Sequence, residues 1–214
     1  GLPAGVTGTF ALGVFTITGT PTASGSFPYT VTTSGSGCTE ASLSGTITVN
    51  ANSTISLSSA PGTQIQTVCL NSAIVTTTYA IGGGGTGASI TSGALPAGVT
   101  GSFAAGVFTI SGTPTATGNF SYEITTTGPC VNTSISGEIN VLALPVVSFS
   151  GLSATYCVNA AAATLTGSPA GGTFSGTGIV GNTFDPAVAG VGGPYTITYT
   201  YTDSGTGCSN TSTQ

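Results

Sequence analysis

LPAGVTGTFALGVFTITGTPTASGSFPYTVTT, residues 2–33, and LPAGVTGSFAAGVFTISGTPTATGNFSYEITT, residues 95–126, are two versions of one passage. About three positions in four are identical at a spacing of about 93 residues, which marks tandem repetition of a whole structural unit. Leu2, Val6, Phe10, Val14, Phe15, Ile17, Phe27 and Tyr29 return as Leu95, Val99, Phe103, Val107, Phe108, Ile110, Phe120 and Tyr122. Most exchanges are small or polar, such as Thr9 for Ser102 and Thr30 for Glu123. The two copies therefore share one core and differ mainly at the surface. Repeating a domain lengthens a chain or multiplies its contacts; it rarely assembles one catalytic pocket.

Composition removes whole classes of function. The 214 residues contain no Lys, Arg or His, and five acids set a net charge of −5. Charged residues make up 2% of the chain, against about a quarter in ordinary proteins. Nucleic-acid binding needs cations to displace phosphate counterions, and a polybasic membrane patch needs the same groups. There is no His to act as general base for a Ser or Cys nucleophile, and no Lys for a Schiff base or a phosphate loop. The expectation is a non-enzyme with no cofactor and no bound metal, lacking any trypsin site. No apolar run approaches the roughly 20 residues of a spanning helix.

Low charge does not mean disorder here. About a fifth of the residues are Thr, and Val, Ile, Leu, Phe and Tyr alternate with polar positions as strands require. The 35 Gly and 11 Pro lie between those runs as turns. In the complete middle repeat the pattern predicts strands near 54–57, 74–81, 107–111, 120–126 and 135–141, with weaker ones near 66–69 and 99–103. About seven short strands in ~90 residues with a Cys pair is the profile of an immunoglobulin-like sandwich. The fold class is all-β, in tandem sandwiches forming an elongated rod. Residues 1–50 read as the C-terminal part of one repeat, 51–142 as a complete one, and 143–214 as a second type lacking its last strand. The short joints Asn50-Ala-Asn-Ser and Leu142-Ala-Leu-Pro145 favour stiffness. Both ends of the chain are expected to cut through domains.

The five cysteines are Cys38, Cys69, Cys130, Cys157 and Cys208. The economical pairing is one bridge inside each domain, Cys69–Cys130 and Cys157–Cys208. Cys38 aligns with Cys130 and is left unpaired, its partner expected ahead of Gly1; a free reactive thiol is the competing account. Structural bridges imply an oxidising, extracellular setting. The reading of the chain as a stalk of self-contained units is staked on this pairing: Cys69 and Cys130 far apart, or one core merged across the joints, would overturn it.

Other motifs divide between chemistry and plain structure. Gly176-Thr-Gly-Ile-Val-Gly181 matches a dinucleotide fingerprint, but Asn182-Thr-Phe-Asp-Pro follows it as a turn into a strand rather than a helix. Gly82–Gly85 lacks any nearby cation and reads as a strand end. Glu123 and Glu138 sit on neighbouring outward positions, a carboxylate pair of the kind glycosidases use. The first repeat has Thr30 and Thr46 there, so solvated surface charge is the better reading. Five acids over 214 residues do not make a calcium cage. Thr rows at Thr16/Thr18, Thr46/Thr48 and 196–202 suit ice or polysaccharide, or are simply Thr on solvent faces. Sequons occur at Asn52, Asn119, Asn132 and Asn210.

The block LPxGVxGxFxxGVFTIxGTPTxxGxFxYxxTT resembles immunoglobulin-type repeats of very large bacterial surface proteins. The stretch running from Tyr156-Cys-Val-Asn through Leu-Thr-Gly-Ser-Pro-Ala-Gly-Gly-Thr-Phe-Ser-Gly-Thr-Gly-Ile, Phe-Asp-Pro-Ala-Val-Ala-Gly and Tyr-Thr-Ile-Thr-Tyr-Thr-Tyr-Thr-Asp to Gly-Cys is similar to a repeat of giant secreted adhesins of gliding Bacteroidetes. The resemblance implies export by a gliding-associated route, a cell-surface location, and adhesion to surfaces or polysaccharides. It carries over no binding residue. The functional expectation is a structural stalk segment of an adhesin, with neighbouring repeats as partners, no nucleic acid and no membrane insertion. The alternatives are a carbohydrate- or ice-binding module, or the accessory region of a secreted enzyme.

Overall fold

A computed structural model of the chain describes residues 1–35, 37 and 39–214. Cys38, expected to be unpaired, lies outside the described residues. The first unit contributes β1 (Val6–Ala11), β2 (Val14–Gly19), β3 (Gly25–Thr32) and β4 (Ser42–Val49). β1 pairs with β2 and β3 with β4, both antiparallel. The β1–β2 turn is Leu12-Gly13 with φ of 49° and 80°, both positive, as the strand twist demands of a two-residue hairpin.

The middle unit contains β5 (Ser53–Leu57), β6 (Ile65–Cys69), β7 (Thr77–Gly83), β8 (Gly87–Gly93), β9 (Val99–Ala104), β10 (Val107–Gly112), β11 (Gly118–Thr127) and β12 (Ser134–Leu142). They form two four-stranded sheets, β5-β7-β10-β9 and β6-β12-β11-β8. With β5 and β6 as a first strand divided between the sheets, this is the immunoglobulin order, A-B-E-D against A′-G-F-C. β6 runs parallel to β12, its last residue Cys69 beside Leu142. Val99 pairs with Gly112 as Val6 pairs with Gly19, and Gly118 with Val141 as Gly25 with Val49. β1–β4 therefore repeat β9–β12 in register; among the described residues the first unit has no counterpart of β5–β8. The strand expected over 74–81 begins at Thr77, and β8 was not foreseen, because its Gly87-Ala-Ser-Ile-Thr-Ser-Gly93 carries one large apolar residue.

The third unit comprises β13 (Ser148–Ser150), β14 (Ala163–Thr164), β15 (Thr166–Ser168), β16 (Thr173–Ser175), β17 (Ile179–Val180), β18 (Thr183–Phe184), the single-turn α1 (Pro186–Ala189), β19 (Thr198–Thr202) and β20 (Ser209–Thr213). β14 and β15 act as one bent strand, pairing with β18 and β13 respectively, and β16-β19-β20 forms the opposing sheet. The seven-strand order is again A-B-E-D against C-F-G. This corrects the expectation of a missing last strand. β20 pairs with β19 from Thr198↔Thr213 to Thr202↔Ser209, and its Ser-Asn-Thr-Ser-Thr sequence carries no apolar alternation by which it could be recognised.

Each sandwich has its own core. In the middle unit Tyr79, Phe108, Ile110, Tyr122, Ile124, Ile139 and Val141 are buried together; in the third, Phe149, Leu165, Phe184, Ile197 and Tyr199 are. Phe120, Tyr122 and Ile124 point inward and Ser121 and Glu123 away, as alternation predicts. A tyrosine on the F strand lies over a glycine in every unit: Tyr29 over Gly45, Tyr122 over Gly137, Tyr199 over Gly167. A Cβ at Gly137 would enter the Tyr122 ring. Gly137→Ala is therefore expected to destabilise the chain by about 1–3 kcal/mol through overpacking, whereas Gly35→Ala, where a Cβ meets open space, leaves it unchanged; urea unfolding followed by tyrosine fluorescence compares them.

Candidate functional sites: a cross-joint bridge, a tyrosine pair and a hydroxyl face

Cys69 is bonded to Cys208, with Cα atoms 5.6 Å apart at a sequence separation of 139. The bridge joins the middle unit to the third. Neither expected pairing is present, and Cys130 and Cys157 are free thiols, the first half-buried and the second exposed. The physical reason lies in the sandwich. Cys69 ends β6 beside the last residue of β12, while Cys130 precedes the first. The nine residues of β12 separate them by about 30 Å, where a disulfide needs Cα atoms within about 7 Å. Cys157 and Cys208 are likewise at opposite ends of the third unit: Val158 lines a cleft with Pro194, ahead of β19, and Cys208 follows β19 across the Asp203 turn. Aligned cysteines identified which loops carry sulfur, not which loops face each other.

The joint itself is short and hydrogen-bonded. Leu70 N donates to Leu142 O at 2.8 Å, and the Asn210 side chain donates to Pro145 O at 2.9 Å. Asn210 thus spends its sequon amide on the linker. Cys208 is fully buried. Asp203 accepts from Gly205 N, Thr206 N and the Thr206 hydroxyl, which hold its carboxyl below the usual range and shape the turn into Cys208.

Inside the middle sandwich, Tyr79 on β7 and Tyr122 on β11 meet hydroxyl to hydroxyl at 2.9 Å. These strands are B and F, which a disulfide spans in antibody domains. Burial pushes both hydroxyls above the ordinary 10.0, and at Tyr122 the Tyr79 hydroxyl adds to the rise. Ser53, Thr77 and Thr126, the buried polar residues, are all bonded: Ser53 Oγ to Thr126 Oγ1 at 2.7 Å, and Thr77 Oγ1 to Thr63 O at 2.8 Å. Gln66 links A′ to the approach of B, donating to and accepting from Val75 at 2.8 Å each way.

Glu123 and Glu138 are diagonal neighbours, since Glu123 faces Ser136 and Glu138 faces Ser121. They border an open depression with Ile65 and Ser92 on the solvent face of the sheet. At the first unit's equivalent site the Thr30 and Ser44 hydroxyls bond at 2.8 Å. No group of three His, Cys, Asp or Glu residues is gathered among the described residues. The Gly176–Gly181 motif closes the C–D and D–E turns around β17 rather than a helix. The Gly82–Gly85 run ends β7.

The Thr row of the third unit is larger than its sequence showed. Thr198, Thr200 and Thr202 on β19 stand opposite Ser175 and Thr173 on β16, and Thr213, Thr211 and Ser209 on β20. Eight hydroxyl residues from three strands share one sheet face, about 4.8 Å apart across strands and 6.7 Å along them. In the first unit Thr7 and Thr9 face Thr18 and Thr16, all exposed. Pairing partners far apart in sequence build both arrays. A half-open cleft of about 370 Å³ between Tyr156, Phe184, Pro194 and Tyr195 also escaped sequence reasoning; its tyrosine hydroxyls bond backbone carbonyls of Gly151 and Gly190.

No family model matches this chain, and no curated protein does. Among solved structures it is similar to the titin domains z1z2 in complex with telethonin, at 17% identity and TM-score 0.37, covering 78% of this chain and 95% of that one. It is also similar to domains 4–9 of the surface layer protein SbsC, at 15% identity and TM-score 0.34, over 92% and 36%. An endo-fucoidan hydrolase of glycoside hydrolase family 107 matches at 14% identity and TM-score 0.34, and this chain spans 37% of its length. The immunoglobulin-like assignment rests on strand order, and these likenesses at low TM-score add no activity.

Tyr122 generates a pH test. Tyrosines whose folded pKa lies above 10.0 contribute stability that is complete below pH 10 and is lost as pH rises beyond it. Absorbance at 295 nm should show the Tyr79 and Tyr122 hydroxyls ionising only with alkaline unfolding. Tyr122→Phe should weaken that alkaline loss and cost about 1–2 kcal/mol at neutral pH, by stranding the Tyr79 hydroxyl.

Proposed function

We propose that this chain is a non-catalytic stalk segment of an extracellular bacterial surface adhesin, whose work is mechanical. The observation that carries the reading is the disulfide tying one sandwich to the next. Such a bond does nothing for a pocket, but it stops two units from swinging about a five-residue linker (143–147). In-register copying of β9–β12 by β1–β4 supports the same view, since unit repetition supplies length. The bridge also favours an oxidising, extracellular location. No described helix is long and apolar enough to cross a membrane.

Export on a gliding-type adhesin follows from the resemblance of the repeat sequences. Partners on this reading are neighbouring repeats and, weakly and multivalently, a surface polysaccharide or other substratum; nucleic acid is not a partner, because no cationic side chain faces solvent. The eight-hydroxyl face of the third unit favours a second reading, a carbohydrate- or ice-binding module. Accessory service to a secreted enzyme is a third.

Small-angle scattering and ligand retention discriminate among them. A compact 214-residue domain would have a radius of gyration of about 17 Å. The stalk reading expects a radius of gyration well above that compact value for the oxidised chain, an increase in interdomain flexibility on reduction, and no retention on polysaccharide columns. A value near the compact limit defeats the stalk. Tight retention abolished by Thr198→Val with Thr200→Val establishes the module instead.

A further inference from the structure

We propose that Cys130 is the receiving half of a second cross-joint disulfide, whose other half is the cysteine at the Cys69 position of an upstream repeat unit. The proposal concerns how units are linked and is independent of what the stalk adheres to.

Two observations converge on it. The first is the bridge already formed, in which the giving cysteine ends strand A′ and the receiving one lies in the loop between strands F and G of the following unit. Cys130 lies in the corresponding F–G loop of the middle unit, between β11 and β12. The second is its position. Val49 and Val141 are equivalent, each paired with the glycine that opens strand F, Gly25 and Gly118. Asn50 therefore occupies in the first unit the place Leu142 occupies in the middle one. Leu142 is the residue beside Cys69. A cysteine ending strand A′ of an upstream unit would stand beside residue 50, one strand spacing of about 4.8 Å away. The Cys130 Sγ lies 3.5 Å from Asn50 O. The thiol already touches the strand next to which its partner would stand.

The occupant is therefore an A′ strand ending in cysteine, as supplied by a complete unit like residues 50–141. The two thiols lose two protons and two electrons as one S–S bond forms. A small disulfide oxidant, oxidised glutathione, accepts them and is cleaved to two thiols.

The test duplicates the unit within the whole chain: residues 1–141 followed by residues 50–214. This reproduces the Val49-Asn50 joint as Val141-Asn50. After refolding in a glutathione redox buffer, thiols are counted by alkylation, with exposed Cys157 as the reactive standard. Bridges are mapped by mass spectrometry after peptic digestion, since trypsin has no site. The duplication adds two cysteines and should add no thiol, with Cys69 of the upstream copy bonded to Cys130 of the downstream copy and the Cys69–Cys208 bridge retained. A gain of two thiols, or a Cys69–Cys130 bond within one copy, overturns the proposal. Cys130→Ser in the downstream copy should expose one new thiol at Cys69 of the upstream copy. If that residue instead stays blocked, or was already reactive before the substitution, the proposal fails.

Discussion

The hydroxyl contact between Tyr79 and Tyr122 is the point on which the middle sandwich depends. A chain without a single cationic side chain cannot tie buried polar groups by ion pairing, so every one must find a neutral partner. Tyrosine suits that restriction: its ring fills the space between sheets, and its one polar atom pairs with another of its kind. The space it needs is made on the neighbouring strand, where Gly137 has no side chain to contest the ring. In the third unit the glycine lies across the sandwich instead, Tyr199 of β19 covering Gly167 of β15, with its hydroxyl bonded to Pro169 O and Gly172 N. No side-chain nitrogen or oxygen among the described residues is buried without a partner.

Because the sandwich is held from inside by tyrosines, sulfur is not needed there and works between units. A bond closing a 139-residue loop restricts the unfolded chain across two units together, so the middle and third sandwiches are coupled through it. Cys69 and Cys130 lie far apart, the outcome that overturns the internally stapled stalk; the stalk proposed here rests instead on the covalent tie at the joint and on the separate cores of the two sandwiches. Low charge is compatible with this arrangement, because the solvent faces are covered by hydroxyls that bond one another across strands, as Thr91 does with Thr125 and Thr202 with Ser209.

Much of the fold was legible where alternation was strong. β10, β11 and β12 stand within a residue or two of their expected bounds because Phe120, Tyr122, Ile124, Ile139 and Val141 alternate cleanly with polar neighbours. β8 and β20 were missed for the opposite reason: each is short of apolar side chains and becomes a strand only by pairing with β11 or β19. The Gly176–Gly181 turn was legible because Asn182-Thr-Phe-Asp-Pro, immediately after it, leads into a strand instead of the helix a nucleotide site requires. The candidate sites were less legible. The Thr row on β19 was visible, but the strands that widen it to eight hydroxyls belong to other stretches of the chain. Cysteine loops were visible as well, and their partners were not.

The sequence by itself determined that this is an all-β chain of repeated immunoglobulin-like units with no Lys, Arg or His side chain, because periodicity, repetition and residue inventory are local properties of the text. Only the tertiary structure decided which cysteine meets which: Cys69 bonds Cys208 across the joint, and neither meets the partner that its place in the sequence suggested. Pairing and burial depend on what folding brings alongside, and a strand's own residues do not record how far apart its two ends will lie.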